Sequence, residues 1–184
     1  GNLFKTKIEK IEKSFCNLEE KEKVKSLSQK KINNVSICLI KSQSRIDWMV
    51  EKLTEIGVNE ITFILSQNCE RKKLNYDRLN KKIISAAKQC NSLFLPKINE
   101  IRSLDKFLDD TKNIDNKYFA DLESKNNLKT YGDNLNSIML IGPEGDFTRE
   151  EKEKIKKYGF KSTTLGNQIL RSETAAVIGG YLLK

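Results

Sequence analysis

From Val35 to the end of the chain, short unbroken apolar runs alternate with stretches whose apolar residues recur at helical spacing. Val35 to Ile40 (VSICLI) has the pattern of a strand buried on both faces. Ile46, Met49, Val50, Leu53 and Ile56 then follow a helical period, and Gly57 is placed to end that helix. Ile61 to Leu65 predicts a second strand. Tyr76 to Cys90 predicts a second helix, with Leu79, Ile83, Ala86 and Ala87 on one face. Pro96 interrupts the chain, and Leu104 to Leu108 suggests a short third helix. Lys117 to Ala120 and Ser137 to Ile141 read as strands on either side of a polar loop, Ser124 to Asn136. Thr148 and Glu151 have capping-box spacing at the start of a helix that Gly159 closes. Thr163 to Leu165 gives a last short strand and Glu173 to Leu183 the final helix. This alternation predicts an α/β fold: a mainly parallel sheet with helices on both faces.

Residues 1–31 do not share the pattern. Phe4 to Ile11 and Phe15 to Leu18 suggest strands, and Glu19 to Lys31 a linker or short helix. So short and charged a segment buries little, and it reads as the tail of another small domain or an extension of the main one. The chain opens on Gly1, which reads as a processed, engineered or truncated start. The expected division is therefore 1–31 and 32–184.

Composition narrows the chemistry. Thirty-four basic against 25 acidic side chains leave a net charge of +9. Two readings stand: a polyanionic partner such as nucleic acid, or a lysine-rich composition that accompanies abundant Asn and Ile. Cys16, Cys38, Cys69 and Cys90 form no C-x-x-C pair, which argues against a zinc ribbon or a disulfide framework. No apolar run reaches membrane-spanning length, and a reducing cytoplasm is the default expectation. The chain has no histidine. That excludes Ser-His-Asp and Cys-His catalysis, H-E-x-x-H zinc chemistry and a histidine base. Carboxylates, lysine, tyrosine and cysteine remain as proton handlers.

Two glycine-bearing loops stand out, each between a strand and a helix. In Gly142-Pro143-Glu144-Gly145, Gly142 lets a ligand approach the backbone at a strand end. The pattern is neither a P-loop nor G-x-G-x-x-G, and Glu144 and Asp146 would repel a phosphate but tolerate a cationic ligand. An ordinary strand–helix turn with a capped helix explains these residues as well. The second loop runs from Leu165 and Gly166 through Ile169 and Leu170 to Arg171, Ser172 and Glu173. Its apolar pair suits a pocket wall, and Arg171 can bind an anion or a polarised carbonyl. Equally, Ser172 can cap the next helix, with Glu173 serving its dipole and Arg171 making an ion pair. Lys52 and Glu55 are spaced to pair on a helix face, and Trp48 reads as core or interface.

Taken together, KLTEIGV at 52–58, AAKQC at 86–90, Pro96, IGPEGDF at 141–147, GF at 159–160 and LGNQILRSETA at 165–175 resemble the RsmE family. These are bacterial SPOUT-superfamily methyltransferases that modify N3 of a uridine in 16S ribosomal RNA. The resemblance covers about residues 35–184. It implies a C-terminal trefoil knot, S-adenosylmethionine as cofactor with no metal, a homodimer, and the small ribosomal subunit as partner. It also implies that residues 1–31 are the remnant of an N-terminal PUA-like RNA-binding β-barrel. Alternatives are a SPOUT enzyme with another RNA target, or a non-catalytic RNA-binding or ribosome-assembly factor.

Carried over by motif, the cofactor loops are Leu140, Ile141, Gly142, Pro143, Glu144 and Gly145, then Leu165, Gly166, Ile169 and Leu170. The turn at Ala120, Asp121 and Leu122 is the expected third wall. Arg171 and Glu173 are the catalytic candidates. Arg71, Lys72, Lys73 and Gln89 are the candidates for holding RNA. Two residues depart from the family pattern: Asp146 stands where GPEGG has its last glycine, and Ser92 stands where an arginine is common.

Overall fold

The computed structural model describes residues 1–28, 31–67, 69, 73–128 and 136–183. It divides into two compact units, residues 1–30 and 31–184. The first is an antiparallel hairpin of β1 (Asn2–Ile11) and β2 (Cys16–Ser26). The sequence suggested a linker or short helix from Glu19 onward; instead the strand continues to Ser26. Its charges find partners across the ribbon, with Glu22 opposite Lys5 and Glu19 opposite Lys7, so a highly charged segment is stable as a strand. Phe4, Ile8, Phe15, Leu18 and Val24 remain exposed on this unit.

Among the described residues the second unit carries seven strands: β3 (Asn33–Cys38), β4 (Glu60–Leu65), β5 (Lys97–Ile98), β6 (Arg102–Ser103), β7 (Asn116–Ala120), β8 (Ser137–Ile141) and β9 (Lys161–Thr163). Their order is β5-β4-β3-β8-β7-β9, with β6 also on β4, and every pairing is parallel. Helices α1 (Gln43–Glu55), α2 (Tyr76–Gln89), α3 (Leu104–Asp110), α4 (Arg149–Lys157) and α5 (Ser172–Leu182) cover the sheet. Strand side chains alternate between two cores. Val35, Ile37, Ile61, Phe63, Met139 and Ile141 meet Met49, Leu53 and Leu79 of α1 and α2 and Ala176 of α5. Cys38, Ile64, Phe119, Ile138 and Leu140 meet Phe107 and Leu108 of α3 and Ile155 of α4. Both faces are thus buried, which is why these strands read as continuous apolar runs.

Helix α5 lies close against the sheet. A Cβ on Gly179 would stand 2.7 Å from Met139 Cγ, and one on Gly180 would stand 3.0 Å from Val35 Cγ2. The expected capping box forms at α4: Glu151 N donates to Thr148 Oγ1 (3.2 Å) and Thr148 N to Glu151 Oε2 (2.9 Å). The other oxygen of Glu151 accepts Gln67 N at 3.0 Å, fastening the segment after β4 to α4. On α1, Lys52 Nζ pairs with Glu55 Oε1 at 2.7 Å as its spacing suggested. Among the described residues no helix is long and apolar enough to cross a membrane.

All four cysteines are free. Cys69 packs on the core that contains Cys38. A hydrogen bond from the Cys38 thiol, opposed by burial and aided by Ser66 Oγ and N, draws Cys69 down to about 6. Burial pushes the Cys38 thiol up. Iodoacetamide should therefore alkylate Cys69 with a half-maximal rate near pH 6, leaving Cys38 unmodified until the protein unfolds. Peptide mass spectrometry across pH 5–9 checks this, and an ordinary thiol profile at Cys69 would refute it.

Candidate active site

Because their pairings are parallel, β3, β7, β8 and β9 direct their carboxyl ends the same way. The loops leaving those ends meet at one edge, the usual ligand position in an open α/β sheet. Three of them enclose a cleft of about 310 Å³. The turn after β7 supplies Ala120, Asp121 and Leu122. The loop after β8 supplies Ile141, Gly142, Pro143, Glu144 and Asp146. The segment after β9 supplies Thr164, Leu165, Gly166, Gln168, Ile169 and Leu170. Arg45 near the start of α1, with Arg171, Ser172 and Ala175, completes the wall.

Of the cofactor candidates, only Leu140 and Gly145 do not line the cleft. Leu140 belongs to the α3–α4 side of the sheet, because its neighbours Met139 and Ile141 take the other face. Leu122 and Ile169 are 62% and 83% exposed, so two large apolar side chains at the cleft are left uncovered by the chain. Solvated apolar side chains beside a concave surface suit a ligand that covers them.

Two of the walls are joined by one lysine. Lys152 Nζ lies 2.8 Å from Asp121 Oδ1 and 2.8 Å from Asp146 Oδ2. Burial works against its charge, but the two carboxylates outweigh burial and hold the ammonium well above the ordinary lysine range. Asp146 has φ +61°, the left-handed region where glycine is most at ease and Asp is among the better-tolerated residues. Its Oδ1 also accepts Phe147 N at 2.8 Å. The residue that departs from the family's glycine therefore adopts a left-handed turn and adds a carboxylate anchored to α4.

The catalytic candidates separate. Arg171 borders the cleft as the N-cap residue of α5, with an exposed side chain that makes no capping hydrogen bond. Glu173 lies beside the cleft rather than in it, 5% exposed, with Oε1 at 3.5 Å from Arg45 Nε. Of the RNA candidates, Gln89 is exposed at the end of α2 and Lys73 is exposed just before that helix; neither lines the cleft. Arg71 and Lys72 lie outside the described residues. Sequence reading missed Arg45, Thr164 and Lys152. Arg45 was the most discoverable, because it lies in the first turn of the helix that follows a buried strand.

A family model described as the RNA methyltransferase domain matches residues 15–183. The chain is 36% identical over 178 residues to the ribosomal RNA small subunit methyltransferase E of Mesomycoplasma hyopneumoniae, covering 93% of this chain and 73% of that one. It is 30% identical over 183 residues to the protein of the same name from Buchnera aphidicola, covering 96% and 72%. A crystal structure of the Neisseria gonorrhoeae ribosomal RNA small subunit methyltransferase E bound to S-adenosyl methionine superposes with TM-score 0.84. That likeness covers 98% of this chain and 77% of the other at 22% identity, and it carries the fold.

Proposed function

Because the chain belongs to the ribosomal RNA small subunit methyltransferase E (RsmE) family, we propose that it transfers a methyl group from S-adenosylmethionine to N3 of a uridine in 16S ribosomal RNA. The observation that carries this reading is the convergence of the loops after β7, β8 and β9 on one apolar-walled cleft.

The cleft fits the cofactor. Its volume of about 310 Å³ is at the small-molecule scale. Gly166, with nothing within 4 Å of where a Cβ would sit, leaves the backbone approachable. Leu165, Ile169 and Leu170 offer apolar surface, while Asp121, Glu144 and Asp146 suit a ligand carrying ammonium and sulfonium charges. When bound, S-adenosylmethionine supplies an electrophilic methyl group on a positively charged sulfur.

The residues of the chain then have to orient a weakly acidic imide nitrogen in line with that methyl group and remove its proton. Glu173 accepts the N3 proton. The nitrogen lone pair forms the new N–C bond, and the electron pair of the broken C–S bond stays on sulfur. Arg171 stabilises the negative charge that builds on the uracil carbonyls. The target base must be unpaired or flipped out to reach the site. Lys73, Gln89, Arg71 and Lys72 are proposed to hold RNA.

The same reading extends to the fold and the assembly. Strand β9 lies at the sheet edge beyond β7, yet α5 packs on β3 and β8. The intervening segment passes the 121–128 loop, where Thr164 N donates to Asn126 O at 2.8 Å. This course supports a C-terminal trefoil knot. Exposed Tyr181 and Leu182 on α5 support pairing of two copies. The exposed apolar side chains of the β1–β2 hairpin support its being part of a PUA-like RNA-binding unit, with a boundary near residue 31. A ribosomal RNA substrate supports a cytoplasmic location.

Methyl transfer from labelled cofactor to small ribosomal subunits and to free RNA, followed by nucleoside mapping, tests the activity. The expected product is 3-methyluridine in 16S RNA. A 2′-O-methyl product, or no transfer to either substrate, would overturn the assignment.

A further inference from the structure

Beside the cofactor cleft lies a second hollow of about 250 Å³, lined by Ser44, Arg45, Trp48, Arg171, Glu173 and Thr174. Arg45 and Arg171 border both spaces, so the two are neighbours across one pair of guanidinium groups. Glu173 is the buried member, 5% exposed. Its Oε1 faces Arg45 Nε at 3.5 Å, while Oε2 is buried and accepts no hydrogen bond from any described residue. A buried carboxylate oxygen left without a donor is unfavourable, so a ligand that donates to it would be stabilised there. Trp48 adds an aromatic surface at the same hollow and is 41% exposed, which excludes the core half of the core-or-interface reading.

The donor inventory of this hollow is specific. Both arginines can only donate, and an ionised carboxylate can only accept. The imide edge of uracil carries the complement: an N–H donor between two carbonyl acceptors. Cytosine presents an unprotonated ring nitrogen and an amino group on the same edge, so an acceptor would meet the Glu173 carboxylate and a donor would meet an arginine. We propose that this hollow is the base pocket: Arg45, Glu173 and Arg171 together read the imide edge of uracil and reject cytosine, with Trp48 as the stacking surface. The proposal rests on the uridine-N3 reading above. It adds Arg45 and Trp48 as substrate-contacting residues and makes Glu173 a specificity determinant as well as a proton acceptor.

Trp48 is the single tryptophan of the chain, so its fluorescence reports on the hollow directly. The 184-residue protein, saturated with S-adenosylhomocysteine so that no chemistry occurs, is titrated with UMP and with CMP. UMP should quench Trp48 and bind at least about tenfold tighter than CMP. Glu173→Gln, whose amide can turn an N–H toward the cytosine ring nitrogen, should bind CMP at least as tightly as UMP. Arg45→Met should weaken UMP about tenfold and weaken CMP less, narrowing the preference for uracil. Equal affinity for the two nucleotides in the wild type overturns the proposal. So does an unaltered preference in Glu173→Gln that still binds cofactor, or Trp48 emission that responds to protein concentration alone. The nucleoside mapping separates the two readings. A protein that makes 3-methyluridine but shows no preference at Trp48 keeps its activity and loses this base pocket. A protein that transfers no methyl group to RNA loses the activity, whatever Trp48 reports.

Discussion

Replacing Arg171 with alanine is expected to lower methyl transfer by about 10²–10³-fold while changing cofactor affinity by less than about threefold. The substitution is structurally mild. Arg171 is the N-cap residue of α5, but its side chain makes no capping hydrogen bond, and the first-turn bond runs from Ala175 N to its carbonyl at 2.8 Å. Alanine keeps that carbonyl and the extended backbone at φ −66°, ψ 150°. What disappears is a guanidinium shared by the cofactor cleft and the hollow beside it. Charge develops on the uracil only as N3 loses its proton, so the loss should fall on kcat more than on KM. Arg171→Lys keeps the charge but not the planar fork and should recover only part of the rate. Single-turnover methylation with labelled cofactor, alongside calorimetry of cofactor binding, measures both quantities. Full activity in Arg171→Ala would remove the arginine from the chemistry.

How much of this was legible in the sequence depended on whether a residue's role was local. The buried strands announced themselves because both faces are covered, so VSICLI and SIMLI carry no charged residue. The capping box at Thr148 and Glu151 is a relation between residues three apart and formed as read. The strand-end glycine loops pointed to a ligand edge because parallel strands place their carboxyl ends together. By contrast, β5 and β6 are two residues each, too short to show alternation. The hairpin strand β2 was obscured by charges whose partners lie on the opposite strand. Arg45 and Glu173 sit at opposite ends of the chain's own order and meet only because α5 returns beside α1. Lys152 was the least visible. Nothing in REEKEKIKK distinguishes it from Lys154, Lys156 and Lys157, yet it alone among them reaches the cleft carboxylates.

That lysine gives the second large effect. Lys152→Met should destabilise the protein by about 3 kcal/mol, because breaking a buried ion pair leaves an uncompensated charge behind. The orphan is Asp121, whose side chain is 6% exposed; Asp146, at 38%, regains water and contributes less. For a chain of this size the loss corresponds to a fall in Tm of about 6–12 °C. The double variant Lys152→Met/Asp121→Asn should recover more than half of it, since the amide needs hydrogen bonds but no counter-charge. Cofactor affinity should not recover in parallel: Lys152 also joins the turn after β7 to the loop after β8, and neither replacement rebuilds that tie. The raised lysine adds a pH signature. Its stabilising contribution is complete below the unfolded lysine value of 10.5 and fades as pH rises through the higher folded value. The gap between wild type and Lys152→Met should therefore hold steady from pH 7 to about 10 and only begin to narrow beyond that, which calorimetric melts between pH 7 and 11 check. Equal melting temperatures at pH 7 would mean that the two carboxylates are satisfied without the lysine, and that the cleft walls are held by the sheet alone.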